Sequence, residues 1–335
     1  MDDCQPPSRR KILIIRFSAI GDIVLTTPVI RAIKAQIPHV EIHFLVKREY
    51  ASLLEYNPHI SKIHAYSGNL KATQQALREE HFDFIVDLQK NYRSKRIVSA
   101  LHVPAGTFSK HNILKWIFVN FKINFLPNIH IVDRYFEAVK KLNVVHDGGG
   151  LDFYIPENKE FDEEDLPAVF ENGFVAVALG SLHGTKRIPV HKIVDIARIL
   201  YKPVMLLGGK DVISMGDDIV SQLGDKAYNG CGKFTIFQSA SILKQADCLL
   251  TGDTGMMHIA AALQIPIASL WGNTVPEFGM YPYMPQQEDK FRIFEVCTLP
   301  CRPCSKLGYE KCPKKHFNCM NHISTLEVAE WINKF

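Results

Sequence analysis

The sequence predicts an α/β protein made of two successive βα arrays, each a parallel sheet covered on both faces by helices, the two facing across a cleft. Three observations point there. Apolar runs of strand length alternate with stretches whose apolar residues recur at helical spacing. The alternation stops at an acidic, poorly periodic stretch, residues 157–165 (ENKEFDEED), between Pro156 and Pro167, and then starts again. At 335 residues the chain also exceeds the size at which one core usually keeps growing.

In the first array, residues 11–17 (KILIIRF) read as a buried strand and 40–46 (VEIHFLV) as a second. Between them Ile30, Ile33 and Ile37 mark one face of a helix, with Thr27 as its expected N-cap and Pro28 at its first position. A polar helix is expected around residues 70–80, and residues 82–88 (FDFIVDL) form a third strand. Past the acidic linker, strands are expected at 174–179, 204–207, 248–251 and 265–270. Ile193, Ile196, Ala197 and Leu200 line one intervening helix. Ser324 with Glu327 three residues on is a capping box that opens a last helix, expected to run to about residue 334.

Composition narrows the function classes. Hydrophobic residues at 47% and charged residues at 22% are ordinary globular values, which argues against disorder. A net charge of +4 is small for this length and gives no case for a nucleic-acid partner. No stretch reaches the roughly 18 apolar residues of a spanning helix, and the first ten residues hold no apolar signal core, so a cytoplasmic location is expected.

Three loops, each after an expected strand, carry the candidate chemistry, because ligands of open α/β sheets bind beyond the carboxyl ends of strands. In Ser18-Ala19-Ile20-Gly21-Asp22, Asp22 either accepts a proton from a hydroxyl nucleophile or simply caps a helix. The loop lacks G-x-G-x-x-G, so a dinucleotide fingerprint is not supported. In residues 180–187 (GSLHGTKR), small residues, hydroxyls and two adjacent cations suit a diphosphate, and a solvated basic loop is the alternative. In residues 251–258 (TGDTGMMH), free N–H groups at a helix start suit a phosphate, and Asp253 can hydrogen-bond sugar hydroxyls. His258 falls one turn after Thr254 on the same helix face and reads as a supporting residue rather than a catalytic one.

Together these segments resemble glycosyltransferase family 9, the ADP-heptose:lipopolysaccharide heptosyltransferases. The pieces are RFSAIGDIVLTTPVIRAIK (16–34), TKRIP (185–189), LLGG (206–209) and GDTGMMHIAAAL (252–263), and the resemblance runs through nearly the whole chain. It implies the GT-B architecture of two Rossmann-like domains: residues 1–156 binding acceptor, 170–323 binding nucleotide sugar, and 324–335 a C-terminal helix. It implies Asp22 as general base of an inverting transfer, Lys186 on the donor phosphates, Asp253 on the donor sugar, and Thr254 and Gly255 at the phosphate-binding helix start. Ser181 and Asp211 fall near donor contacts. The implied donor is ADP-heptose and the acceptor a lipopolysaccharide inner core or another glycolipid, reached by peripheral association with the inner face of the cytoplasmic membrane. No cofactor and no metal are implied, and no D-x-D sequence marks a metal–diphosphate site. One departure is Ile188, where family members commonly carry Trp. Two other readings stay open, a GT-B enzyme using another nucleotide sugar and a non-catalytic nucleotide-sugar-binding protein.

Three features lie outside those loops. Lys90, Arg93, Lys95, Arg96, Lys110 and Lys115 concentrate positive charge, and Arg93, Lys95 and Arg96 are the candidate contacts to an anionic acceptor, with a solvated basic face as the alternative. Residues 113–126 (ILKWIFVNFKINFL) read as a buried helix, with a membrane-surface helix as the alternative. The cluster C-x2-C-x7-C-x6-C at Cys301, Cys304, Cys312 and Cys319, with His316 and His322 nearby, fits free thiols or a structural metal better than disulfides.

Overall fold

The computed structural model describes residues 10–162 and 166–335, so the last three positions of the expected linker lie outside the described residues. The chain forms two compact units. One takes the chain up to Lys110 together with Ile129–Tyr154; the other takes His111–Asn128 and Ile155–Phe335.

The first unit holds strands β1 (Lys11–Ile15), β2 (Glu41–Lys47), β3 (Lys62–Tyr66), β4 (Phe84–Asp87) and β5 (Ala105–Thr107). They form one sheet in the order β3-β2-β1-β4-β5, and every pair is parallel. Ile12 to Ile15 on the central strand are at most 1% exposed, which is why that strand reads as an unbroken apolar run. Helices α1 (Ile20–Val24), α2 (Thr27–Gln36), α3 (Leu70–Arg78) and α4 (Tyr92–Leu101) follow the strands; α5 (Asn112–Phe121) goes with the second unit and α6 (Ile131–Tyr135) returns to the first. Thr27 does not cap α2 as expected. The helix begins at Thr27, and the hydroxyls of Thr26 and Thr27 donate back to the carbonyls of Ile23 and Val24, tying α2 to α1.

The second unit holds β6 (Val175–Ala178), β7 (Val204–Leu207), β8 (Ala227–Asn229), β9 (Cys248–Thr251), β10 (Ile267–Trp271) and β11 (Phe291–Glu295). The sheet order is β11-β10-β9-β6-β7-β8, again parallel throughout. Its helices are α7 (Val190–Ile199), α8 (Ile213–Leu223), α9 (Ile236–Gln245), α10 (Gly255–Ala262), α11 (Asn318–Asn321) and α12 (Thr325–Ile332). Ser324 caps α12 by accepting the Glu327 N–H, as its sequence signature predicts. The ammonium of the buried Lys192 on α7 donates to the carbonyls of Asn321 and Ile323 and so anchors the segment between α11 and α12.

In each sheet the strand order reverses beside the first strand, between β1 and β4 and between β6 and β9. Crossovers leave in opposite directions there and open a crevice at the carboxyl ends of the strands. The loops beside these two points are residues 16–22 and 88–91 in the first unit, and 179–187 and 252–255 in the second.

The buried-helix reading of residues 113–126 is corrected by the structure. On α5 only Phe118 is buried, packed with Val275 and Phe278, while Ile113, Trp116 and Phe121 are 75%, 54% and 60% exposed. Ile123 and Phe125 just beyond are exposed as well. No helix among the described residues is long and apolar enough to cross a membrane.

Candidate active site

Asp22 lies in the first turn of α1, directly after β1. Its carboxylate accepts the Ala19 N–H at 3.3 Å, so the capping role is realised. It also pairs with Arg16, Nη2 to Oδ1 at 2.6 Å, and its side chain keeps 27% of its surface open to solvent. Arg16 is buried and fully engaged: Nε donates to Ser18 O, and Nη1 to Leu88 O and the Tyr135 hydroxyl. Burial alone would lower its pKa, but Asp22 and Tyr135 outweigh that and hold the guanidinium charged. Burial pushes the Tyr135 phenol up to about 12, so it stays a neutral partner. One carboxylate is thereby fixed by a permanent cation with part of it facing outward, as a group receiving a proton from a bound hydroxyl must be.

The loop after β4 is built around Asp87, which accepts the Gln89 and Lys90 N–H groups and the Ser94 hydroxyl. Lys90 and Lys110 donate to the carbonyls of Phe108 and Gln89. Burial, and then the charge of Arg16, lower the Lys110 pKa, which places that ammonium in the same electrostatic neighbourhood as Asp22 and Asp87.

Of the three acceptor candidates on α4, all exposed, Arg93 lines a concavity. That concavity, about 410 Å³, is lined by Lys47, Arg48, Glu49, Tyr66, Ser67, Gly68 and Arg93, at the carboxyl ends of β2 and β3. Lys95 and Arg96 do not line it; Arg96 lies over the Tyr92 ring. Sequence reasoning missed Lys47 and Arg48. The signal available was a basic pair directly following the VEIHFLV strand.

In the second unit Lys186 and Asp253 meet, Nζ to Oδ2 at 2.6 Å, with side chains 17% and 12% exposed. The Thr274 hydroxyl donates to the same Asp253 oxygen at 3.0 Å. Gly252 makes the approach possible: a Cβ there would sit 2.2 Å from the Lys186 carbonyl oxygen, so no other residue lets the two loops lie this close. Thr254 caps α10 by accepting the Met257 N–H, and its hydroxyl also pairs with Thr251. Gly255 opens the helix, where the first N–H groups have no intrahelical acceptor. His258 is buried one turn further along α10. Ser181 and Asp211 are linked through Arg187, whose Nε donates to Ser181 O and whose Nη2 pairs with Asp211 at 2.7 Å. Ile188 is buried in the core of this unit.

Arg302 and Tyr309, which the sequence did not single out, hold these loops together with Cys304. Arg302, buried, donates from Nε to Gly272 O and from Nη2 to Thr274 O and the Glu295 carboxylate. The Cys304 N–H donates to Asn273 O. Asn273 itself is buried, and its side-chain amide meets no hydrogen-bonding partner among the described residues. Thr185 and Tyr309 exchange hydrogen bonds: Tyr309 O accepts from the Thr185 N–H and hydroxyl, and the Tyr309 N–H donates to that hydroxyl. The seven described cysteines are all free thiols. The Cys301 sulfur lies 3.9 Å from His316 Nε2, the Cys304 thiol donates to Cys301 O, and burial pushes the Cys304 and Cys319 thiols up to about 11 and about 12.

Two doubly wound sheets, each with charged loops at its switch point and one with a cation, a carboxylate and a helix N-terminus together, define the frame of a nucleotide-sugar glycosyltransferase. The model of glycosyltransferase family 9 (heptosyltransferase) matches residues 70–311, and the chain belongs to that family. It is 26% identical over 293 residues to lipopolysaccharide heptosyltransferase 1 of Campylobacter coli, covering 79% of this chain and 84% of that one. Among solved structures it is similar to the family 9 glycosyl transferase of Veillonella parvula, with a TM-score of 0.74, 19% identity and coverage of 97% and 98%. It is also similar to the ADP-heptose lps heptosyltransferase II of E. coli, with a TM-score of 0.71, 20% identity and the same coverage. The fold is thus the GT-B fold of those enzymes, and the chain is a glycosyltransferase.

Proposed function

We propose that the protein transfers a heptose from ADP-heptose to a lipopolysaccharide inner-core acceptor, with inversion at the anomeric carbon. The observation that carries this reading is the Lys186–Asp253 pair set beside the N-terminus of α10 at the switch point of the second sheet. A diphosphate brought there meets a point charge and unpaired N–H donors, while Asp253, released from Lys186, is free to hold sugar hydroxyls. The donor named for the E. coli relative is an ADP-heptose, which is a diphosphate of this kind.

In this reading the acceptor hydroxyl oxygen attacks the anomeric carbon and the bond from that carbon to the diphosphate oxygen breaks. Asp22 takes the hydroxyl proton, and ADP leaves. Lys186 and the start of α10 stabilise the charge that develops on the leaving diphosphate. Thr254 and Gly255 shape that start, and Ser181 and Asp211, joined by Arg187, border the donor. Arg93, with Lys47 and Arg48, supplies cations for a phosphorylated acceptor; Lys95 and Arg96 add to the field of the same face.

The acceptor is anchored in lipid, and the protein sits peripherally on the inner face of the cytoplasmic membrane. The exposed row of Ile113, Trp116, Phe121, Ile123 and Phe125 supports this, because Trp and large aliphatic side chains are favoured at the headgroup boundary.

Incubation of the purified protein with ADP-heptose and a panel of truncated lipopolysaccharide cores, followed by mass and linkage analysis, tests the assignment. The expected product is one core enlarged by one heptose in the inverted configuration. Transfer from a different nucleotide sugar, or binding of ADP-heptose without transfer, would replace it.

A further inference from the structure

The first unit carries a second cluster of metal-ligating side chains, at the opposite end of its sheet from Asp22. His43 is on β2, His64 on β3, and Glu80 in the turn between α3 and β4. In the parallel register His43 stands opposite Lys62 and His64 opposite Leu45, so the two imidazoles are diagonal neighbours on one sheet face. His43 Nδ1 is 3.0 Å from His64 Nε2. A Glu80 oxygen lies 3.8 Å from His43 Nδ1, and the other lies 4.0 Å from His64 Nε2. Among the described residues this is the one group of three His, Cys, Asp or Glu side chains whose ligand atoms all fall within 4.8 Å of one another. The cysteine cluster at 301–319 is not such a group.

We propose that His43, His64 and Glu80 form a site for one divalent transition-metal ion of the zinc type, which ties β2, β3 and the turn after α3 together and takes no part in transfer. Two imidazoles and a carboxylate are the ligand set such ions favour. With bonds of about 2.0–2.2 Å in a tetrahedral arrangement, donor atoms stand about 3.3–3.5 Å apart. The imidazole separation lies just below that spacing and the two distances to Glu80, one from each of its oxygens, lie just above it, so small rotations of the carboxylate and the rings bring one oxygen and two ring nitrogens to three positions, and water supplies the fourth.

The surroundings fit as well. His43 is buried and Phe82 stands edge-on to both rings, with centroids 5.2 Å and 6.2 Å away, which fixes the ring planes. Burial lowers the pKa of His43, and burial followed by its neighbour His43 brings His64 down to about 4, so both rings are neutral at neutral pH with lone pairs to give. Two cations compete with a metal. Lys62 pairs with one Glu80 oxygen, and Lys11 lies 3.8 Å from the other and donates to the Glu80 carbonyl. Lys62 is 54% exposed on a long flexible stem and can release Glu80 into solvent when an ion takes its place. The competition sets a moderate affinity rather than excluding the ion.

The test uses zinc and cobalt(II) on the full chain after chelator treatment and dialysis. Calorimetry of the wild type with Zn²⁺ should show an equivalent that both His64→Gln and Glu80→Gln lose, with affinity at that step falling about 100-fold or more. Cobalt(II) at the same step should give only weak visible bands and no thiolate charge-transfer absorption, which separates it from any binding at Cys301–Cys319. Circular dichroism melts in chelator should leave both variants folded, and Glu80→Gln, on a partly open turn, serves as the check if His64→Gln is destabilised. Equal zinc stoichiometry and affinity in wild type and Glu80→Gln would overturn the proposal. So would thiolate absorption at the affected step. Because the readout is metal binding, its failure leaves the transferase assignment standing.

Discussion

Replacing Asp22 by Asn separates the two roles that its surroundings allow. As a structural group Asp22 accepts one backbone N–H and one arm of Arg16. Asn keeps a carbonyl oxygen for one of those contacts, and Arg16, which loses its anionic partner, keeps hydrogen bonds to Ser18 O, Leu88 O and the Tyr135 hydroxyl. A hydrogen bond to a charged group contributes about 1.5–3 kcal/mol, and partial exposure reduces that, so the stability loss should be about 1 kcal/mol. In a chain of 335 residues unfolding as one that is a shift of about 1–2 °C in Tm. As a general base Asp22 contributes about 10²–10⁴ in rate, equivalent to about 3–5 kcal/mol on the barrier. The rate effect should therefore exceed the stability effect at least about threefold in free energy. Steady-state turnover at saturating donor and acceptor, beside a thermal melt and a donor titration, measures all three quantities. We expect turnover to collapse, Tm to drop slightly and donor affinity to stay within a few-fold. Turnover within a few-fold of the wild type would reduce Asp22 to a helix cap and an arginine partner, and the base would have to be found elsewhere.

Lys186→Ala should weaken ADP binding by about 10-fold or more in calorimetry, since it removes a charge-assisted contact to the diphosphate; unchanged affinity would place the phosphates away from this loop. Arg302→Ala should raise KM for the nucleotide sugar through loss of the loop it holds, with Arg302→Lys recovering part of the effect and kcat moving less than KM. In chelator, wild-type stability should fall as pH drops from about 6.5 towards about 4. His64 has its folded pKa depressed by burial, so the unfolded chain takes up the proton first and gains from it. His64→Gln should flatten that slope in urea melts run across the range. Trp116→Ser should reduce sedimentation with anionic liposomes while leaving turnover on a short, detergent-free acceptor near the wild-type value.

The sequence made the central strands plain because they are buried on both faces and read as continuous apolar runs, as in residues 11–17 and 174–179. The strands it missed have another character. β3 (KIHAY) and β11 (FRIFE) lie at sheet edges, each with one buried residue, and carry charged side chains, while β5 and β8 are three residues each, too short for any period to register. The loops carrying Asp22, Lys186 and Asp253 were legible because glycine, hydroxyl and charged residues interrupt apolar runs there. What could not be read was pairing across long separations: that Lys186 meets Asp253, that Arg187 joins Ser181 to Asp211, or that Arg93 shares a concavity with Lys47 and Arg48. The apolar stretch at 113–126 misled for a related reason. Periodicity reports that side chains are apolar and says nothing of what stands opposite them, and here only Phe118 is buried, with Val119 and Leu126 partly covered against the same cluster.

The hydrogen bonds from Arg302, Cys304 and Tyr309 bear on the order in which the donor side is assembled. The loops at 184–186 and 272–274 emerge from their strands well before residues 302–309 are synthesised, yet their orientation depends on donors that only those later residues supply. In the proposed reading, a nascent chain that has completed β6, β9 and β10 already carries Lys186, Asp253 and the start of α10 without these later hydrogen bonds to hold their loops. If that reading holds, affinity for the nucleotide should arrive abruptly, late in synthesis, when residues 302–309 hydrogen-bond to both loops. Until then the growing chain is blind to its own substrate.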